Sequence, residues 1–379
     1  MSVTLQSVTF NHDPTSSRGS ALNIRINGST PAQVPEWVNG ASSTSPAAYA
    51  ISDTLTARIQ IAVDLVSAPN TRVFVRAIPA NPFEFNVLGP TETATVNFAA
   101  NGKRNGLKLT LQAPALAQTG VGAFDVNWRW QYKDSFAAPW TDFATTEHRI
   151  LVTLQPPTRP WVQTPFAASN TQLPWAEVLE WACQWAAFTG TPGAASRAIT
   201  SAVFNLGPRR IAYDCTGGNP TNYSYPEFDC SAFLERLAGL YGRGPRVNCT
   251  DCATIVSTFA NALGADLWQS RMFNQVVPFR CNMMRLIGAP FFGAVCGTGF
   301  FNYHEVAWEG ACSDLDDVFD ACLEVFFPAP PALGLSTYVP QDVNFGWAFG
   351  NSYRDYLVSP ESRYICQAQP TTRRRRLVY

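Results

Sequence analysis

Hydrophobic and polar residues change period partway along the chain, and that change is its first organising feature. In the first 160 residues, short runs rich in β-branched and aromatic residues recur between turn signals: Val3 to Phe10, Ala21 to Ile26, Thr56 to Leu65, Thr71 to Ile78, Ala94 to Phe98, Leu107 to Leu111, Phe124 to Tyr132 and His148 to Leu154. Alternation over such lengths predicts strands with one face buried. Asp125, Asn127, Arg129 and Gln131 interleave with Val126, Trp128, Trp130 and Tyr132, giving one wet and one aromatic face. Seven or eight strands, with Asn-Gly turn signals at Asn101 and Asn105, predict an antiparallel, immunoglobulin-like sandwich in the architectural sense only, because no cysteine pair is available for an inter-sheet disulfide.

Beyond residue 160 the period becomes helical. Trp175, Val178, Leu179, Ala182, Trp185 and Ala186 share one stripe, as do Ala198, Ile199, Ala202, Val203 and Leu206, and then Phe233, Leu234, Leu237 and Leu240. A fourth helix is predicted from Thr250 to Leu263, with Gly264 as its stop. Strand-like segments follow at Asn274 to Arg280, Tyr303 to Trp308 and Val318 to Val325. The expected organisation is a β-sandwich at 1–158, a Pro-rich linker at 159–172, an α+β domain at 173–335 and a C-terminal extension at 336–379.

Composition narrows the functional classes. Of 379 residues, 46% are hydrophobic and only 15% charged, against roughly 25% in an ordinary globular chain, so this is not a disordered protein. A net charge of -1 supplies no field for a polyanion, which disfavours nucleic acid as a partner. The uncharged run from Leu286 to Tyr303 is broken by four glycines and a proline, so no membrane span is expected. The N-terminus lacks the basic and apolar regions of a Sec signal, and the expectation is a cytoplasmic protein with reduced thiols and no disulfides. The run Arg373 to Arg376 reads as a solvated end, a dock for an acidic partner, a membrane surface or nucleic acid, or a tail folded back on an acidic body.

Candidate chemistry lies in the second half, where all ten cysteines fall at or after Cys183. His304 is the sole histidine there, since His12 and His148 belong to the sandwich. A cysteine nucleophile needs a base, a group that orients the base, and preferably a helix N-terminus to favour the thiolate. Cys249, in Val247-Asn248-Cys249-Thr250-Asp251-Cys252-Ala253, opens the fourth predicted helix.

These residues resemble the transglutaminase-like cysteine enzymes, a superfamily with a papain-like core that includes transglutaminases, peptidases, deamidases and peptide N-glycanases. Its nucleophile motif, C-x-D/E-x-A before an apolar helix ending in L-G, is matched by Cys249, Asp251, Ala253, Leu263 and Gly264. Its histidine opening a strand, with an acid sixteen positions later, is matched by His304 and Asp320. The match spans about residues 195 to 326 and departs where Val306 and an acidic turn at Asp314 to Asp317 replace family aromatics. The resemblance implies a Cys249, His304 and Asp320 triad acting on an amide of a protein or peptide substrate through an acyl-enzyme, with no cofactor and no metal. Three other readings stand beside it. Cys249 could simply pack. Cys249-x-x-Cys252 with Cys215 and Cys230 could hold zinc. The chain could be a binding or assembly protein that keeps the fold and makes its contacts through Trp128 and Trp130.

Overall fold

The computed structural model describes residues 2–11, 21–51, 59–112, 116, 120–161, 172–207, 209–216, 221–273, 276–325, 343–344 and 352–379. His12, most of the expected linker and the first part of the expected C-terminal extension lie outside them. The fold is mostly β, with several sheets and few helices. It divides into two compact units, Met1–Pro157 with Val162–Gly190, and Thr158–Trp161 with Thr191–Tyr379.

The first unit holds β1 (Thr4–Thr9), β2 (Trp37–Val38), β3 (Ala47–Ala50), β4 (Gln60–Val66), β5 (Arg72–Pro79), β6 (Ala94–Asn97), β7 (Lys103–Thr110), β8 (Gly122–Lys133) and β9 (Thr141–Thr153). They form a four-stranded sheet, β2-β1-β4-β7, and a five-stranded sheet, β3-β9-β8-β5-β6. Alternate residues of both sheets enter a single hydrophobic cluster, as period-two patterning requires. Pairing is not wholly antiparallel: β3, a segment without an alternating signature, runs parallel to β9. Trp128 and Trp130 are fully buried in this core, so they offer no contact surface. His148 is buried beside them and bonded to Thr146 Oγ1 at 2.7 Å, and burial pushes its pKa down to about 3.

Helix α1 (Ala176–Trp185) belongs to this first unit, whereas its sequence stripe was assigned to the cysteine domain. Its buried face packs on β8 and β9, and Arg149 pairs with Glu180. A helical stripe identifies a buried face but not the sheet that covers it.

The second unit contains α2 (Pro192–Phe204), β10 (Ala212–Tyr213), α3 (Cys230–Leu237), β11 (Arg246–Val247) and α4 (Cys249–Ala262). These are followed by β12 (Trp268–Phe273), β13 (Phe279–Arg280), β14 (Met284–Leu286), β15 (Phe300–Phe301) and β16 (His304–Trp308). The remainder comprises β17 (Asp317–Phe319), β18 (Leu323–Val325), β19 (Val343–Asn344), α5 (Tyr353–Leu357) and β20 (Gln367–Arg374). The main sheet is antiparallel in the order β19-β17-β16-β12-β20.

Every residue of α4 is buried, including its polar ones. Each such polar group must find a partner, since an unpaired buried one costs about 1–3 kcal/mol. Thr254 Oγ1 donates to the Thr250 carbonyl at 2.7 Å, and Ser257 Oγ to that of Ala253 at 2.8 Å. The Asn261 amide donates to the carbonyls of Arg159 at 2.7 Å and Leu267 at 2.9 Å. Trp161, fully buried, donates its indole N–H to the Thr258 carbonyl at 2.9 Å. The start of the Pro-rich stretch is therefore anchored in the second unit and not laid over a surface. Polar α4 side chains claim its backbone groups, a match that no local composition reveals.

Candidate active site

The start of α4 is built by a reciprocal cap. Asn248 Oδ1 accepts from the Asp251 N–H at 3.1 Å, and Asp251 Oδ2 accepts from the Asn248 N–H at 3.1 Å. Asp251 also accepts from the N–H groups of Asn222 at 3.1 Å and Tyr223 at 2.9 Å, which pins a neighbouring loop to the helix start. Burial nevertheless pushes the Asp251 carboxyl pKa up. Cys249 occupies the first helical position, 4% exposed, at the end of the helix that carries the unpaired N–H groups and the positive end of the dipole.

His304 opens β16, which packs against α4. Its Nε2 bonds to Asp320 Oδ2 at 2.8 Å. Asp320 lies in the short break between β17 and β18, where its Oδ1 accepts from the Cys322 N–H at 2.7 Å and its Oδ2 from the Tyr353 hydroxyl at 2.7 Å. The Phe301 ring stacks on the imidazole at 4.8 Å, nearly parallel at 7°. His304 Nδ1 is the ring nitrogen that Asp320 does not engage, and the imidazole interacts with the Cys249 thiol. Burial alone would push the imidazole pKa down. The Asp320 charge and hydrogen bond, joined by the Cys249 thiol, outweigh burial and raise it to about 10.

The sequence candidates Cys249, His304 and Asp320 thus meet in one place, although 55 residues separate the first two. In the acidic turn at Asp314 to Asp317, Asp316 has another duty. Asp316 accepts from the N–H groups of Ala311 and Ser313 and from the Ser313 hydroxyl, and so organises its own turn. Tyr353 and Phe301 were not legible as site residues, because one lies 33 positions beyond its partner and the other in a run of aromatics with no period.

Cys249 lies in a cleft of about 330 Å³ whose walls carry Tyr213, Asn222, Asn248, Phe300 and Tyr303. Burial, with Cys249 nearby, keeps the pKa of the Tyr213 phenol well above its ordinary value and also raises that of Tyr303, so both stay neutral hydroxyls. Cys215 and Cys296 line the same cleft and are joined by a disulfide, with Cα atoms 5.0 Å apart. This overturns the expectation of wholly reduced thiols: two segments 81 residues apart are brought together at the cleft wall. It also removes Cys215 from the zinc reading, and among the described residues no group of three or more His, Cys, Asp or Glu is arranged to hold a metal.

Six of the other free thiols are poor nucleophiles by environment. Burial pushes the pKa values of Cys183, Cys281 and Cys312 up to about 12, and those of Cys322 and Cys366 well above the ordinary thiol value. Cys252 is hydrogen-bonded to Cys322, which works to lower its pKa, but burial and neighbouring negative charge prevail and raise it.

Neither the family models nor the curated proteins contain a match to this sequence. Among solved structures, the chain is similar to red sea bream transglutaminase, at 12% identity and a TM-score of 0.36. The alignment covers 84% of this chain and 53% of the fish enzyme, so the chain spans about half of that protein's length. No helix of the described residues is long and apolar enough to cross a membrane.

Proposed function

We propose that this chain is a cysteine acyl-transfer enzyme of transglutaminase-like type, in a two-domain protein whose first domain is an immunoglobulin-like sandwich. The observation that carries the proposal is the buried imidazole of His304, bonded to Asp320 on one nitrogen and adjoining the Cys249 thiol at the mouth of a helix. Cys249 Sγ attacks an amide carbonyl, and the developing oxyanion turns to N–H groups of the first helical turn. Of these, Asp251's is already taken by Asn248. His304 takes the thiol proton as Sγ attacks and passes it to the amine as the C–N bond breaks, giving a thioester on Cys249 and a free amine. A water or a second amine then attacks the thioester, with His304 taking its proton as base; the C–S bond breaks, and the proton returns to the Cys249 sulfur as the acid or new amide leaves. Asp320 holds the ring orientation and stabilises the imidazolium.

The test is selective chemistry at one thiol. Iodoacetamide, followed by peptide mapping, should label Cys249 ahead of the other free cysteines, and His304→Ala should abolish that preference. A panel of peptide amides should leave an acyl adduct on Cys249, absent in Cys249→Ser and His304→Ala, reduced in Asp320→Ala and retained in Cys252→Ser. Labelling spread over several cysteines, indifferent to His304, would reject the proposal.

A further inference from the structure

A buried ion cluster joins the residues that directly follow the proposed nucleophile and base. Successive side chains of a strand leave on opposite faces. Val306 and Trp308, on the His304 face of β16, enter the hydrophobic cluster, while Glu305 faces the other way, towards α4. Thr250 Oγ1 donates to Glu305 Oε2 at 3.0 Å. Glu305 is fully buried, and a lone carboxylate there would be prohibitively costly.

Its compensation comes from the arginine run. Arg376 Nη1 donates to Glu305 Oε1 at 2.8 Å, and also lies 3.0 Å from Thr254 Oγ1 and 2.8 Å from Gln269 Oε1. Arg271 Nε reaches Glu305 Oε2 at 3.2 Å, and Arg374 lies 3.8 Å from it. Burial pushes the Glu305 pKa up, but these guanidiniums, Arg376 foremost, bring it below its ordinary value, so the group stays a carboxylate. The arginine run, which ends β20 and continues past it, is divided in alternation: Arg374 and Arg376 turn to Glu305, while Arg373 and Arg375 stack on Trp268 at 3.5 and 3.7 Å. Its acidic partner is the chain's own interior, and Arg376 is not a solvated end.

We propose that Glu305, held by Arg376 and bonded to Thr250, is a positioning residue for the reaction: it locks the first turn of α4 to the strand carrying His304 and thereby sets the Cys249–His304 separation. The inference rests on the reading of Cys249 and His304 as nucleophile and base. Strand β16 is the common frame, since it places the base from one face and the helix from the other. Nucleophilic reactions are steep in geometry, and a misplacement of about 1 Å costs on the order of a hundredfold.

The experiment measures the second-order rate of Cys249 alkylation by iodoacetamide across pH, with thermal melting alongside, in the full chain. Thr250→Val removes one hydroxyl at nearly constant volume. The expected result is a folded protein whose Cys249 reacts about ten- to a hundredfold more slowly with a flattened pH profile, with Thr250→Ser restoring most of the rate. Arg376→Lys, which keeps the charge but changes the length and shape of the group whose nitrogen meets Glu305, Thr254 and Gln269, should fall between parent and Thr250→Val, and it decides the matter if Thr250→Val does not fold. Folded Thr250→Val, or folded Arg376→Lys in its place, with the parental rate and profile overturns the brace. If the parental rate is itself indifferent to His304→Ala, the catalytic reading fails instead.

Discussion

At the scale of single residues, the site turns on how an imidazole is kept charged inside a protein. Burial opposes the imidazolium, and Asp320 at 2.8 Å reverses the outcome, so the His304 pKa rises from 6.5 to about 10. Because the folded value exceeds the unfolded one, the resulting stabilisation is fully present below pH 6.5 and is lost as pH rises through about 10. Asp320→Asn should remove it. Histidine ¹⁵N NMR checks this directly: one imidazole of the parent should stay protonated to about pH 10 and titrate far lower in Asp320→Asn. A parental His304 that titrates near 6.5 would contradict the account. His304 was legible because it is the lone histidine of the second half, and Asp320 because its spacing from His304 resembles the family motif. The Tyr353 hydroxyl that also holds Asp320 was not, since a tyrosine among many carries no local mark of its partner.

At the scale of elements, helix α4 carries the chemistry because of how it begins. The Asn248–Asp251 box fixes where the helix starts, and that start puts Cys249 at the dipole's positive end. Asn248→Ala should cost about 1 kcal/mol of stability, the usual worth of a cap, and should slow Cys249 alkylation more than the equivalent loss at the Thr191 cap of α2, for which Thr191→Ala is the control. Chemical denaturation with the alkylation rate measured in parallel checks both. Equal, small effects on the thiol from the two caps would show that the helix start does not tune it. Periodicity made this helix, β8 and β16 readable in advance. It missed β3, whose four residues are all buried and so do not alternate, and it set β12 too late, because the helix stop at Gly264 is followed almost at once by the strand.

At the scale of the whole molecule, covalent and ionic ties connect segments far apart in sequence. The Cys215–Cys296 bond lies in the wall of the cleft that holds Cys249, so two of the ten cysteines are withheld from alkylation. Denatured without reductant, the protein should take up eight iodoacetamide groups, and ten after reduction, with the two additional labels mapping to Cys215 and Cys296. Uptake of ten without reductant would remove the bond from the structure.

The amino-acid sequence by itself determined whatever depends on neighbours within a few positions: the alternation that makes the strands of the first unit, the stripes and cap of the helices, the glycine stop at Gly264, and the placing of Cys249 on a helix start. It also marked His304 through scarcity, and Asp320 through resemblance to the family's histidine–acid spacing. Only the tertiary structure decided that α1 packs on the first unit, that Thr158–Trp161 docks on α4, that Cys215 meets Cys296, and that Arg376 enters the core to meet Glu305 71 residues away. The physical reason is common to all of these. Local periodicity records which face of an element is apolar, whereas a buried charge or thiol is satisfied by whichever partner the topology brings to it, and a run of four arginines reads the same whether water or a buried carboxylate awaits it.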